Sequence, residues 1–148
     1  MRENGPVIYQ KIDTPKGRIV KILLNRPDHG NRIDGEMWHD FMEAVDMASA
    51  DREARVVIFG GVGDDFCCGF DTGDPSVSLN ANEDGVVSFA DRRENTWEEV
   101  DTWLKIYNMR KPTICMTQGT VLGGGWLIAM SCDCICSADN AVFDNTEY

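Results

Sequence analysis

The 148 residues fit one domain of ordinary size, and a chain that is 43% hydrophobic and 26% charged has the composition of a soluble globular protein able to bury its own core. Its formal charge, 14 − 25 = −11, excludes a dominating basic face and with it a nucleic-acid partner. No stretch is long and apolar enough to span a membrane, and the segment from Met1 to Gln10 lacks the basic start and apolar run of a signal peptide, so no membrane partner and a cytoplasmic location are expected.

In chain order, Val7 to Ile12 and Ile19 to Leu24 are apolar runs around Thr14-Pro15-Lys16-Gly17 and predict a hairpin. Residues Asn25 to Asn31 are rich in turn formers and predict a loop. Asp34 is placed to cap a helix reaching about Ala50, in which Met37, Phe41, Ala44, Val45 and Ala48 recur at helical spacing and form one apolar face. Val56 to Phe59, closed by Gly60-Gly61, reads as a strand buried on both faces. Gly63 to Asp74 is a glycine- and aspartate-rich turn region, and Ser76 to Gly85 a polar, mobile loop. Trp97, Val100, Leu104 and Tyr107 follow at steps of three, four and three, which predicts a helix with a buried aromatic stripe. After Pro112, Thr113 to Thr117 reads as a second buried strand. Gly123-Gly124-Gly125 opens a helix through about Met130, and Cys132 to Ala138 and Ala141 to Phe143 read as strands. Strand and helix alternate, which predicts an α/β fold with mainly parallel pairing.

Cys67, Cys68, Cys115, Cys132, Cys134 and Cys136 include no CxxC pair and have no histidine nearby, which argues against zinc and for reduced, buried thiols. Two glycine-containing turns each follow an apolar strand. One is Asp65-Phe66-Cys67-Cys68-Gly69-Phe70-Asp71; the other runs from Gly119 through Gly123-Gly124-Gly125 to Trp126. Glycine permits close backbone approach, and a helix N-terminus offers unpaired N–H donors. Two such turns, if they converge, aim two N–H groups at one developing oxyanion. Neither a GxGxxG dinucleotide fingerprint nor a GxxxxGK[ST] phosphate loop occurs.

Leu24-Asn25-Arg26-Pro27 with Asn31, Val56-Val57-Ile58 with Gly61 and Phe66 to Asp71, Lys111-Pro112-Thr113-Ile114 through Gly119 and Leu122 to Gly125, Cys132-Asp133, and Ala138 to Phe143 stand in the order and spacing of the crotonase (enoyl-CoA hydratase/isomerase) family. The chain resembles that family from about residue 19 to its end. The resemblance implies a spiral of ββα units, one core domain over residues 1–148 that is incomplete and stops before a C-terminal helical region, and homo-oligomers (trimers or dimers of trimers) at full length. It implies an enzyme acting on an acyl-CoA thioester, with no separate cofactor because coenzyme A arrives on the substrate. An oxyanion hole would be formed by the N–H groups of Phe70 and Gly124. Arg26, His29, Cys68, Asp71, Gly123, Trp126 and Leu127 are the substrate-site candidates. Family hydratases carry a glutamate where this chain has Leu127, and the second family glutamate falls at Glu147, which becomes the candidate acid/base. Two readings of Asp71 stand here, a general base or a cap on the turn, and two of His29, a site residue or a solvated loop residue. With one carboxylate, enoyl-CoA isomerisation is easier to rationalise than hydration. Hydrolysis, ring opening or closing, and non-catalytic acyl-CoA binding are the alternatives.

Overall fold

The computed structural model describes residues 5–74, 77 and 89–145. Strands β1 (Val7–Thr14) and β2 (Gly17–Leu24) form the expected antiparallel hairpin, in register from Val7 opposite Leu24 to Thr14 opposite Gly17. Helix α1 (Gly35–Ala50) starts where Asp34 accepts a hydrogen bond from the Met37 N–H at 2.8 Å, the N-cap read from sequence. Its buried residues are Met37, Phe41, Ala44, Val45 and Ala48, the predicted face. That face lies among Val20, Ile22, Leu24, Val57 and Phe59 of the sheet, within one core.

Strand β3 (Ala54–Gly61) pairs parallel to β2, β5 (Thr113–Thr117) parallel to β3, and β7 (Cys134–Ser137) parallel to β5, giving a five-stranded sheet in the order β1-β2-β3-β5-β7. A second, three-stranded parallel sheet has the order β4 (Cys67–Cys68), β6 (Thr120–Leu122), β8 (Val142–Asp144). Each successive unit therefore sends its first strand to the larger sheet and its second to the smaller one. Helix α2 (Phe89–Tyr107) follows β4, and α3 (Gly124–Met130) follows β6. This is the parallel α/β arrangement expected.

Three expectations are corrected. Strands β3 and β5 are not buried on both faces. Val57 and Phe59 are buried while Val56 and Ile58 are only partly covered, and Thr113, Cys115 and Thr117 are buried while Met116 is exposed. In α2 the helix is where it was expected but its phase is different. Trp97, Leu104 and Tyr107 are 57%, 46% and 70% exposed, and Thr102, Trp103 and Ile106 face the core instead. Among the cysteines, Cys67 and Cys115 are buried as expected, but Cys134 and Cys136 lie exposed on β7. The loop expected over 76–85 lies outside the described residues, Val77 excepted.

Candidate functional site

The parallel strands β3 and β5 end side by side, and the chain leaves both into glycine turns. In open α/β sheets the crevice beyond the carboxyl ends of the strands is where ligands bind. Here the two turns are stitched together. The Phe66 N–H donates to the Gln118 carbonyl at 2.8 Å. The Gln118 amide donates to the carbonyls of Gly61 and Gly63 at 2.9 and 3.1 Å, and the Thr120 N–H donates to the Asp65 carboxylate at 2.8 Å. These bonds to Thr120 hold the Asp65 carboxyl below the usual carboxylate range. Gly119, at φ +54°, has no room for a side chain: a Cβ there would lie 2.3 Å from the Asp64 carbonyl oxygen.

Beyond this junction β4 and β6 pair, Cys67 with Val121 and Cys68 with Leu122, and bring the two glycine segments into contact. A Cβ on Gly123 would lie 3.6 Å from the Gly69 Cα, and one on Gly124 would lie 2.9 Å from the Phe70 ring. Phe70 and Gly124, the pair the family resemblance implies for the oxyanion site, are thus neighbours. The Ile33 N–H donates to the Gly69 carbonyl and the Asp71 N–H to the Ile33 carbonyl, at 2.9 and 2.8 Å. This bridge alternates past Phe70, so the Phe70 N–H has no hydrogen-bond acceptor among the described residues. Gly124 is the first residue of α3, where helical N–H groups have no partner within the helix, and its N–H likewise has no acceptor among the described residues. Gly125, next in the helix, packs directly on Cys67, where a Cβ would lie 3.1 Å from the thiol sulfur. Burial pushes that thiol up to about 12, so it stays protonated.

Aromatic packing fixes this segment from below. Phe70 meets the edge of Trp38 at 5.8 Å between ring centroids, Trp38 meets Trp103 at 5.2 Å, and Phe41 continues the stack toward Phe59. Trp38 carried no functional expectation in sequence, and its partners Phe70 and Trp103 lie far from it along the chain. Asn31 is also more important than its place in a loop suggests. It is fully buried at φ +52°, accepts from the Arg26 N–H at 2.8 Å, and donates to the carbonyls of Val62 and Asp65 at 2.9 and 2.8 Å. One side chain thereby ties the Asn25 to Asn31 loop to the first glycine turn.

The remaining candidates divide. The Arg26 guanidinium is engaged by the protein itself, with Asp34 at 3.1 Å, Asp71 at 3.4 Å and the Arg32 carbonyl at 2.6 Å. Asp71 thus holds Arg26 through its Oδ2. His29 ends a single 3-10 turn (Pro27–His29) and is exposed. Cys68 is half-buried beside Gly30, and burial followed by the Asp65 charge raises its thiol above the ordinary value. Gly123 is buried at φ +45° beneath Gly69. Trp126 and Leu127 are partly covered on α3, and Leu127 packs against the core. Glu147 lies outside the described residues. Beside the site, Asp133 receives the N–H and hydroxyl of Thr113, both at 2.8 Å, which holds its carboxyl low and fixes β7 against β5.

The sequence profile of the enoyl-CoA hydratase/isomerase family matches residues 14–148. The chain belongs to this family. It is 32% identical over 96% of its length to EchA13 of Mycobacterium tuberculosis, whose name places it provisionally among the enoyl-CoA hydratases. It is 30% identical over 88% of its length to a carnitinyl-CoA dehydratase of Proteus mirabilis. A solved enoyl-CoA hydratase/isomerase from Xanthobacter autotrophicus Py2 superposes with a TM-score of 0.77 at 29% identity, over 95% of this chain and 48% of that one. The chain spans 48% and 46% of the two curated relatives, about half their length. The fold is the crotonase fold over that half.

Proposed function

We propose that this chain supplies the thioester-oxyanion site of an acyl-CoA enzyme of the enoyl-CoA hydratase/isomerase type. One observation carries the reading: the Phe70 and Gly124 segments abut while both N–H groups are without acceptors among the described residues. Two preorganised donors beside an apolar floor stabilise negative charge developing on a carbonyl oxygen better than water does, because they need no reorganisation. Gly124 adds the positive end of α3 to the same place.

Glu147 is the proposed acid/base. Its carboxylate takes the proton from the α-carbon of a β,γ-unsaturated acyl-CoA, the electron pair moves onto the thioester oxygen, and the two N–H groups hold that enolate. The carboxylic acid then returns the proton at the far end of the conjugated system, giving the α,β-unsaturated isomer with no atom gained or lost. Leu127, packed on the core, provides no carboxylate to activate water, which favours proton shuttling over hydration. A panel of acyl-CoA thioesters with the parent protein and Glu147→Gln tests this. The expected result is double-bond migration that Glu147→Gln abolishes while acyl-CoA binding persists. Undiminished turnover in Glu147→Gln would remove Glu147 from the mechanism. Binding without turnover in the parent would support the alternative of an acyl-CoA-binding protein.

A further inference from the structure

Both proposed donors sit on backbone that its own chemistry leaves loosely fixed. Phe70 follows Gly69 at φ +89°, and Gly124 follows Gly123 at φ +45°. Glycine gives such positions the widest conformational freedom. The two bonds to Ile33 hold residues 69 and 71 and pass over residue 70 itself. On the other side, the bond of 2.9 Å from the Leu127 N–H to the Gly123 carbonyl fixes Gly123 but not the Gly124 N–H. An oxyanion site works only when the separation of its donors is set beforehand. An aromatic ring lies against both. The place a Gly124 side chain would take is filled by Phe70, whose Cε2 and Cδ2 would lie 2.9 and 3.3 Å from a Cβ there. Trp38 meets the same ring at 5.8 Å between centroids, edge to face at 63°. Trp38 is itself held on α1, with Trp103 at 5.2 Å and Phe41 at 6.3 Å. Close-packed rings pass a displacement on rather than absorb it.

On the oxyanion reading of this site, we infer that the Phe70 ring is the spacer that sets the gap between the two N–H donors, and that Trp38, which holds the ring, is a positioning residue for the reaction. The side chain of Phe70 then has a role separate from that of its N–H. A residue of α1, 32 positions earlier in the chain, acts on the chemistry through it. Without the indole the Phe70 ring gains room to turn, its contact with Gly124 loosens, and the two donors no longer point at one oxygen.

Trp38→Ala and Trp38→Phe test the inference with two readouts, each variant being shown folded by urea unfolding. In the ligand-free protein, nuclear Overhauser contacts between the Phe70 ring protons and the Gly124 Cα protons should weaken or vanish in Trp38→Ala and persist in Trp38→Phe. With an acyl-CoA thioester, Trp38→Ala should lower kcat roughly tenfold or more while KM stays within about threefold, and Trp38→Phe should recover most of the loss. Contacts in Trp38→Ala as strong as in the parent overturn the inference. So does a raised KM with kcat unchanged, which makes Trp38 a wall of the acyl site, and so does Trp38→Phe no better than Trp38→Ala, which makes the loss one of packing alone. A parent protein without turnover, whose bound thioester carbonyl is unpolarised, removes the oxyanion reading, and the Overhauser contacts alone then decide whether Trp38 sets the ring against Gly124. If Trp38→Ala does not fold, Phe70→Leu replaces it. That variant keeps the N–H and loses the ring, so kcat should fall to the same extent; parent-like kcat in Phe70→Leu overturns the inference.

Discussion

Gly124 and Gly125 are adjacent, both buried, and both open α3, yet alanine should act differently at the two positions. A Cβ on Gly124 would meet the Phe70 Cε2 at 2.9 Å and the Ile33 Cδ1 at 3.0 Å. Both are side-chain atoms, so about 0.5 Å of movement restores ordinary contact, and the helix gains up to about 1 kcal/mol from losing a glycine. Net destabilisation should be about 0–2 kcal/mol. The displaced atoms, however, belong to the residue whose N–H is proposed to hold the oxyanion, and a misplacement of that size should cost roughly tenfold in turnover. A Cβ on Gly125 would lie 2.6 Å from the Cys67 Cβ and 2.8 Å from the Cys67 carbonyl oxygen. That backbone is paired with β6 and cannot yield, so helix and strand must separate. The cost should reach about 2–3 kcal/mol even after the helix-propensity gain. Urea unfolding of both variants measures the stabilities, and acyl-CoA turnover the rest. Gly125→Ala as stable as the parent, or Gly124→Ala the less stable of the two, would refute the reasoning.

Asn31→Ala leaves the Arg26 N–H and the carbonyls of Val62 and Asp65 without a partner and forces alanine to φ +52°, so urea unfolding should show a loss of at least about 2 kcal/mol, with Asn31→Gly recovering only the backbone part. Arg18, bonded to Asp51 at 2.9 Å, is the main cause that lowers the Asp51 carboxyl to about 2. A carboxyl depressed in the folded state stabilises fully above its unfolded value near 4 and loses that contribution as pH falls toward 2. Asp51→Asn should therefore be less stable than the parent at pH 7, and the two curves should converge below about pH 2. Curves that stay parallel from pH 5 to 2 would contradict this. Under native conditions a thiol reagent should modify Cys134 and Cys136 rapidly and Cys67 only on unfolding, as mass spectrometry of timed digests will show.

Much of the fold was legible because hydrophobic period and turn chemistry agreed. The hairpin, α1 with its Asp34 cap, and the opening of α3 at the triple glycine all follow from short-range rules. The phase of α2 was not legible. Two sets share the helix, apolar Trp97-Val100-Leu104-Tyr107 and Trp103-Ile106 with the polar Thr102, and periodicity reports the repeat without saying which set meets a partner. Only the aromatic contact of Trp103 with Trp38, 65 positions away in sequence, decides it. β4 and β6 were missed because two or three residues leave no period to read, and they exist because each pairs with the other. Resemblance to the family singled out Phe70 and Gly124 in the site. Asn31, Trp38 and Gln118 act through tertiary contacts that no local pattern announces.

The central claim is that the N–H groups of Phe70 and Gly124 together polarise a thioester carbonyl. The direct measurement is the infrared stretching frequency of a carbonyl-¹³C-labelled acyl-CoA, free and at saturation, with the parent protein and with Gly124→Pro, which lacks that donor. Two donors at about 2.7–3.1 Å should lower the bound frequency well below that of the free thioester, and Gly124→Pro should reverse most of the shift. A saturated complex whose carbonyl absorbs at the free frequency, or a shift that survives Gly124→Pro intact, would contradict it.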